Sequence, residues 1–168
     1  GVRTIEHGNL LDDNSAKVMA KNAAYLVPTN VTYQALYKHG KEFGFPEASM
    51  EKLEDVLEVG LRALEIAKNN GVKIGHGSDL LGKCQTYQSD EFILKAEVVG
   101  NYEAIRQATE VNAEILNMSD QLGVIKSGAF ADIVIIDGNP ISDISLLTNQ
   151  GQYMPAIMKD GIFYKNTL

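Results

Sequence analysis

Two histidine-bearing strand ends and one aspartate are where this sequence could do chemistry. Val72 to Asp79 reads V-K-I-G-H-G-S-D: two alternating apolar residues leave a helix-ending Asn-Gly, reach the glycine-flanked His76 and break into Ser78-Asp79. A carboxylate at the carboxyl end of a parallel strand, among residues too small to cover it, is well placed for chemistry. Taken alone, the ordinary reading of G-S-D is a turn or cap, where Asp is a default residue. Earlier, Ile5-Glu6-His7-Gly8 puts a second titratable group after a short apolar run. Glu6 points to the opposite side of a strand from His7 and reads as structural. His39, in K-H-G, reads as a solvated loop residue, and the five methionines are too scattered to form a cofactor box.

Composition excludes several classes. At 168 residues, 45% apolar and 22% charged, the chain is long enough for an adequate core. A net charge of −7 without any Lys/Arg cluster argues against nucleic acid or an anionic membrane as partner. Cys84 is the only cysteine, which excludes an intrachain disulfide or a cysteine-based metal knuckle. No apolar run approaches the roughly 20 residues of a membrane span, and no signal peptide is visible. The chain opens at Gly1-Val2-Arg3-Thr4-Ile5, already strand-like and without an initiator Met. The expectation is therefore that the amino-terminal part of a longer protein precedes it, with a cytoplasmic location favoured.

The elements that must hold these residues follow from periodicity and punctuation. Residues 2–6 read as a strand, 14–22 as a helix capped by Asp12 to Asn14, and 24–27 as a second strand closed by Pro28-Thr29. Residues 30–48 are expected to be a loop, a functional lid or an irregular helix. Ser49 is the expected cap of a helix over 50–70 with an apolar stripe of Leu53, Leu57, Leu61 and Leu64. Residues 72–75 give the third strand, so strands and helices alternate as in βα units with a parallel sheet. Residues 80–88 read as a loop, and 89–99 as a helix with Phe92, Ile93, Ala96 and Val99 inward. Asn101 then caps a helix over 102–117, with Ile105, Ala108, Val111, Ile115 and Leu116 as its stripe. The pattern then changes: 123–126, 131–136 and 156–159 read as strands, and 162–165 pairs back across Asp160-Gly161, a strong hairpin signal. Asp132 and Asp137 look like edge or turn groups.

Three separated motifs, in order, resemble the amidohydrolase superfamily of metal-dependent hydrolases. They are I-E-H-G at 5–8, I-G-H-G-S-D at 74–79, and A-T-E-V-N-A at 108–113 running into L-G-V-I-K-S-G-A-F-A-D-I-V-I-I-D-G-N-P at 122–140. With Y-L-V-P-T at 25–29, they are most similar to the imidazolonepropionase-like and Xaa-Pro dipeptidase-like hydrolases. The resemblance implies an α/β fold: residues 1–120 as strands 6 to 8 of a (β/α)8 TIM barrel, and 121–168 as part of a small flanking β-sandwich. It implies His7 as a metal ligand, and Asp79 as both a metal contact and the catalytic carboxylate that handles the proton of the attacking water. The implied cofactor is a divalent metal, zinc by donor type, with one or two ions in the intact enzyme. Tyr33 and Tyr37 would lie on the face where barrel loops build the active site. A phenol there could bond a substrate carboxylate, though loop packing is its ordinary role. Tyr33 and His76 are the candidate substrate contacts, His76 with a packing or supporting role favoured over ligation. Asn112 is expected to fix backbone near the end of the barrel.

The same resemblance places the remaining ligands before Gly1, so this chain alone is expected to be inactive and open to association through its strand edges. The implied reaction is hydrolysis of an amide-type C–N bond in a dipeptide or N-acyl amino acid by metal-activated water, in a homo-oligomer. A cyclic amide or imidazolone ring is the alternative substrate. The rival of another class is a non-catalytic α/β binding module, which expects His7 and Asp79 to lie far apart. A doubly wound hydrolase or dehydrogenase is disfavoured, since there is no G-x-G-x-x-G after a strand and no G-x-S-x-G.

Overall fold

The computed structural model describes residues 1–168. Strand β1 (Thr4–Glu6), helix α1 (Asp13–Lys21), strand β2 (Tyr25–Val27), helices α2 (Asn30–His39) and α3 (Glu47–Asn69) and strand β3 (Lys73–Ile74) follow in order. The strands form one parallel sheet, β1-β2-β3, so their carboxyl ends open along one edge. Asp12 caps α1 by accepting the Ser15 N–H at 2.7 Å, and that bond holds its carboxyl below the usual range. Leu26, Val72 and Ile74 pack with Ala16 and Met19 of α1 and Leu64 and Ala67 of α3 in one buried cluster. Burying a side chain the size of Leu26 or Leu64 contributes about 1.5–3 kcal/mol, which fixes the face of the sheet that α1 and α3 cover.

Several expectations are corrected. The stretch after β2 contains a regular helix, α2, because Val31 and Ala35 lie one turn apart and pack on Leu80 and Cys84. Its Tyr and Lys residues lie mostly on the open side, and Gly40 ends it. His39 is not solvated: it stacks on Tyr87 at 5.5 Å and its Nε2 lies 2.9 Å from the Tyr87 hydroxyl. Helix α3 starts at Glu47 behind Pro46, whose φ of −61° suits a helix entry, and not behind Ser49. Of its leucine stripe only Leu64 is fully buried. The expected loop at 80–88 is mostly a 3-10 helix, Gly82–Asp90, which leads directly into α4 (Glu91–Val99).

The helix expected over 102–117 is a rod of three parts: α5 (Asn101–Arg106), a π-helical turn Gln107–Val111, and α6 (Asn112–Ile115). The wider turn shifts the facing residues, so Ala104, Gln107, Val111 and Ala113 are buried while Leu116, expected inward, is 61% exposed. Asn101 is the first helical residue and not a cap; its side chain bonds the Ile141 carbonyl. Beyond it, β4 (Ile133–Ile135), β5 (Ala156–Lys159) and β6 (Ile162–Asn166) form an antiparallel sheet. Asp160 and Gly161 have φ of 49° and 78°, the two positive values a tight hairpin turn requires. Residues 123–126 are not a strand: no neighbour pairs with them, and Ile125 is 93% exposed.

One clamp ties the rod to the end of β3. Asn112 accepts the His76 N–H and donates to the His76 carbonyl, both at 2.9 Å, so one side chain acts as a missing strand neighbour. Gly75 admits it, since a Cβ there would sit 2.9 Å from Asn112 Oδ1 and 2.6 Å from Ile115 Cδ1. The His76 ring packs on Phe92, centroids 4.3 Å apart, with its Nδ1 buried and unpartnered. Burial, and next the nearby Lys95 charge, push its pKa down to about 3.

Two outcomes follow from the clamp. Gly75→Ala should lower stability by about 1–3 kcal/mol in urea unfolding, because side chain and backbone must both move; an unchanged midpoint would show that the approach is not tight. The unfolded chain binds a proton at His76 below its ordinary pKa of 6.5, whereas the folded chain refuses it down to about 3. Stability should therefore fall as the pH is lowered through that window, by up to about 1.4 kcal/mol per unit. His76→Phe should flatten that part of the unfolding-versus-pH curve, and an identical slope would contradict the assignment.

Candidate functional site

The carboxyl edge of the parallel sheet gathers His7, Thr29, Tyr33 and Asp79. His7 directly follows β1, its N–H donating to the Val27 carbonyl at 2.9 Å. It has φ of 66°, and Asp79, five residues beyond β3, has φ of 48°, both in the left-handed region that few non-glycine residues occupy. Such conformations cost free energy and gather where function requires them. Gly8 continues the turn at φ 65°, and a Cβ there would lie 2.4 Å from Leu26 Cδ1.

His7 Nδ1 lies 2.7 Å from Thr29 Oγ1, and Nε2 lies 3.9 Å from Asp79 Oδ2. The latter is too long for a hydrogen bond. With side chains 43% and 58% exposed, both groups face open space. Imidazole nitrogen and carboxylate oxygen are the donor types that suit a divalent ion of the zinc class. No third His, Cys, Asp or Glu joins them, and a zinc centre takes at least three protein ligands.

Tyr33, on the first turns of α2, sets its ring edge-on to His7, centroids 6.4 Å apart. Burial, then the charge of Asp79, hold its hydroxyl above the usual tyrosine pKa, so it remains a donor. Tyr37 points elsewhere, with its hydroxyl 3.4 Å from Glu54 on α3. His76 lies beneath the strand end, with its Nδ1 closed off. Glu6 is exposed. Beside Asp79 a cavity of about 360 Å³ opens between α2 and the 3-10 segment, lined by Leu36, Phe43, Phe45, Leu80 and Leu81, with Lys83 among its lining residues.

Three contributors escape a reading of the sequence. Thr29 carries the faint signal of a hydroxyl residue after Pro28 at a helix start. Glu91 and Lys95 carry a misleading one: E-x-x-x-K looks like an exposed helical pair, yet both are 0% exposed. Glu91 Oε2 accepts the Val31 N–H at 2.7 Å, and Lys95 Nζ donates to the Gly75 carbonyl. Burial pushes the Glu91 carboxyl up and the Lys95 ammonium down, while each one's charge opposes the other's shift. Thr32 Oγ1 also donates to the Ser78 carbonyl, fixing the residue before Asp79.

Comparison with known proteins gives the wider frame. A prolidase solved with N-methylphosphonate-L-proline is 52% identical with a TM-score of 0.95, and the match covers 99% of this chain and 41% of that one. A Xaa-Pro dipeptidase solved with methionine in its active site is 34% identical with a TM-score of 0.86, over 99% of this chain and 40% of that one. Among curated proteins, the ochratoxinase of Aspergillus niger is 25% identical over 98% of this chain and 34% of its own length. The chain thus spans about a third of the curated relatives it matches and about two-fifths of these solved ones. The model of the Amidohydrolase family matches residues 1–160, and the chain belongs to that family.

Proposed function

We propose that this chain is the carboxyl-terminal part of a metal-dependent amidohydrolase that cleaves the amide C–N bond of a dipeptide or N-acyl amino acid. In this reading residues 1–120 supply strands 6 to 8 of a (β/α)8 barrel and residues 121–168 part of a flanking β-sandwich. One observation carries it: His7 and Asp79, seventy-two positions apart in the sequence, meet 3.9 Å apart at the carboxyl edge of a parallel sheet. The prolidase and dipeptidase relatives support the substrate class, and the apolar cavity beside Asp79 could seat a side chain of such a substrate.

A divalent ion, zinc by donor type and completed by ligands from the rest of the full-length protein, would bring the pKa of water toward neutrality. His7 would offer Nε2 to that ion, its ring held at Nδ1 by Thr29. Asp79 contributes a carboxylate oxygen and takes the proton of the attacking water, then returns it to the leaving nitrogen as the C–N bond breaks. Tyr33, protonated and beside both, can donate to a substrate oxygen. His76 is assigned to packing beneath the strand end.

The deciding experiment is metal analysis and hydrolysis of a dipeptide and N-acyl amino acid panel by the full-length protein, with His7→Ala and Asp79→Asn beside it. Both variants should lose roughly 10²–10⁴-fold in kcat, His7→Ala with loss of bound metal. A folded protein without metal or hydrolysis, indifferent to both changes, would sink the reading.

A further inference from the structure

Helix α2 opens where its own capping residue is engaged elsewhere. Thr29 holds the N-cap position and is of the type that normally accepts a first-turn N–H, yet it makes no such bond. Its Oγ1 lies against His7 Nδ1 instead. Asn30, Val31 and Thr32 are all buried, which denies their N–H groups water, and the first turn has no acidic residue of its own. The acceptor arrives from 60 residues downstream, where Glu91 Oε2 takes the Val31 N–H. A buried carboxylate in that position does what an N-cap side chain does, and is also favoured by the positive end of the helix. Lys95, four residues on, offsets its charge.

We propose that Glu91 is a positioning residue for the candidate metal site: by capping α2 in place of Thr29, it frees the Thr29 hydroxyl to hold His7 with Nε2 toward Asp79. The inference rests on the reading of His7 as a metal ligand. With Nδ1–H donating to Thr29, the imidazole keeps its lone pair on Nε2, the usual way an outer partner orients a ligating histidine. Without Glu91, the local alternative for the Val31 N–H is the N-cap hydroxyl, and Thr29 is drawn toward its own helix and away from the ring.

The test uses the full-length protein with Zn²⁺ as probe. Glu91→Met with Lys95→Met removes the acceptor and both charges, whereas Glu91→Gln with Lys95→Met removes both charges and keeps an oxygen acceptor. The Met pair should weaken Zn²⁺ affinity about 10–100-fold, and the Gln pair should stay within about threefold of the unchanged protein. In a Thr29→Val background the two pairs should bind alike, because the contested hydroxyl is gone. Nitrogen NMR of the His7 ring gives a reading independent of metal: its Nδ1–H form should persist in the Gln pair and be lost in the Met pair. Matching affinities and spectra for the two pairs with Thr29 present would overturn the proposal, as would a gap that survives Thr29→Val. Wild-type protein that binds no Zn²⁺ would overturn the metal reading of His7, and the ring spectra alone would then decide whether Glu91 governs the Thr29–His7 contact. Should the Met pair fail to fold, Thr29→Val alone decides: Zn²⁺ affinity should drop while the urea midpoint of metal-free protein holds, and a midpoint loss of the size a missing N-cap brings would refute it.

Discussion

Glu91 and Lys95 sit one helical turn apart on α4, fully buried, and between them they reach two of the elements that carry the candidate site. The carboxylate holds the start of α2 and the ammonium holds the end of β3. Removing charge from water is costly, and such a pair stays folded only where each member finds further hydrogen bonds. Here those bonds are backbone groups that would otherwise be orphaned. Helix α4 is therefore a polar strut, and its apolar residues pad the sides: Phe92 under His76, Leu94 against the Val31 cluster.

Around that strut the site is over-determined at the backbone. Asn112 holds both polar groups of His76, Lys95 holds the carbonyl of Gly75, and Thr32 holds that of Ser78. Four successive residues before Asp79 thus include three whose carbonyls are fixed by side chains from three different elements. On the other side of β2, the His7 ring is set by Thr29. The two candidate side chains stay open to solvent while much of what lies beneath them is closed, an arrangement that would keep a reactive edge in place without burying it.

Much of this was legible in the sequence, for identifiable reasons. The order strand-helix-strand-helix-strand follows from punctuation at Pro28, Asn70-Gly71 and Gly75, and the hairpin from Asp160-Gly161. What escaped was set by distant partners. Residues 30–39 lack a strong apolar period, and α2 forms because Leu80 and Cys84 receive Val31 and Ala35. The π-helical turn leaves no mark in composition, so the face expected from a 3.6-residue period keeps Val111 but loses Leu116. On α4 the periodicity pointed to Phe92, Ile93, Ala96 and Val99, yet the fully buried residues are the two charged ones. Charge reads as surface unless the partner is known, and both partners here are backbone groups far along the chain. His7 and Asp79 were visible because each ends a strand among glycines; Thr29 was not, because its bond is to a side chain 22 residues earlier.

The left-handed backbone at His7 and Asp79 has a consequence for how such a centre can vary. With φ of 66° and 48°, these positions exclude β-branched residues and penalise most others, leaving glycine, asparagine, aspartate and histidine as the comfortable occupants. Only two of those four are strong ligands for a divalent ion of this class, and they are the two found here. The main chain thus acts as a filter on coordination chemistry. Cysteine or a longer carboxylate at either position would carry the backbone penalty of that region, whatever its own affinity for an ion.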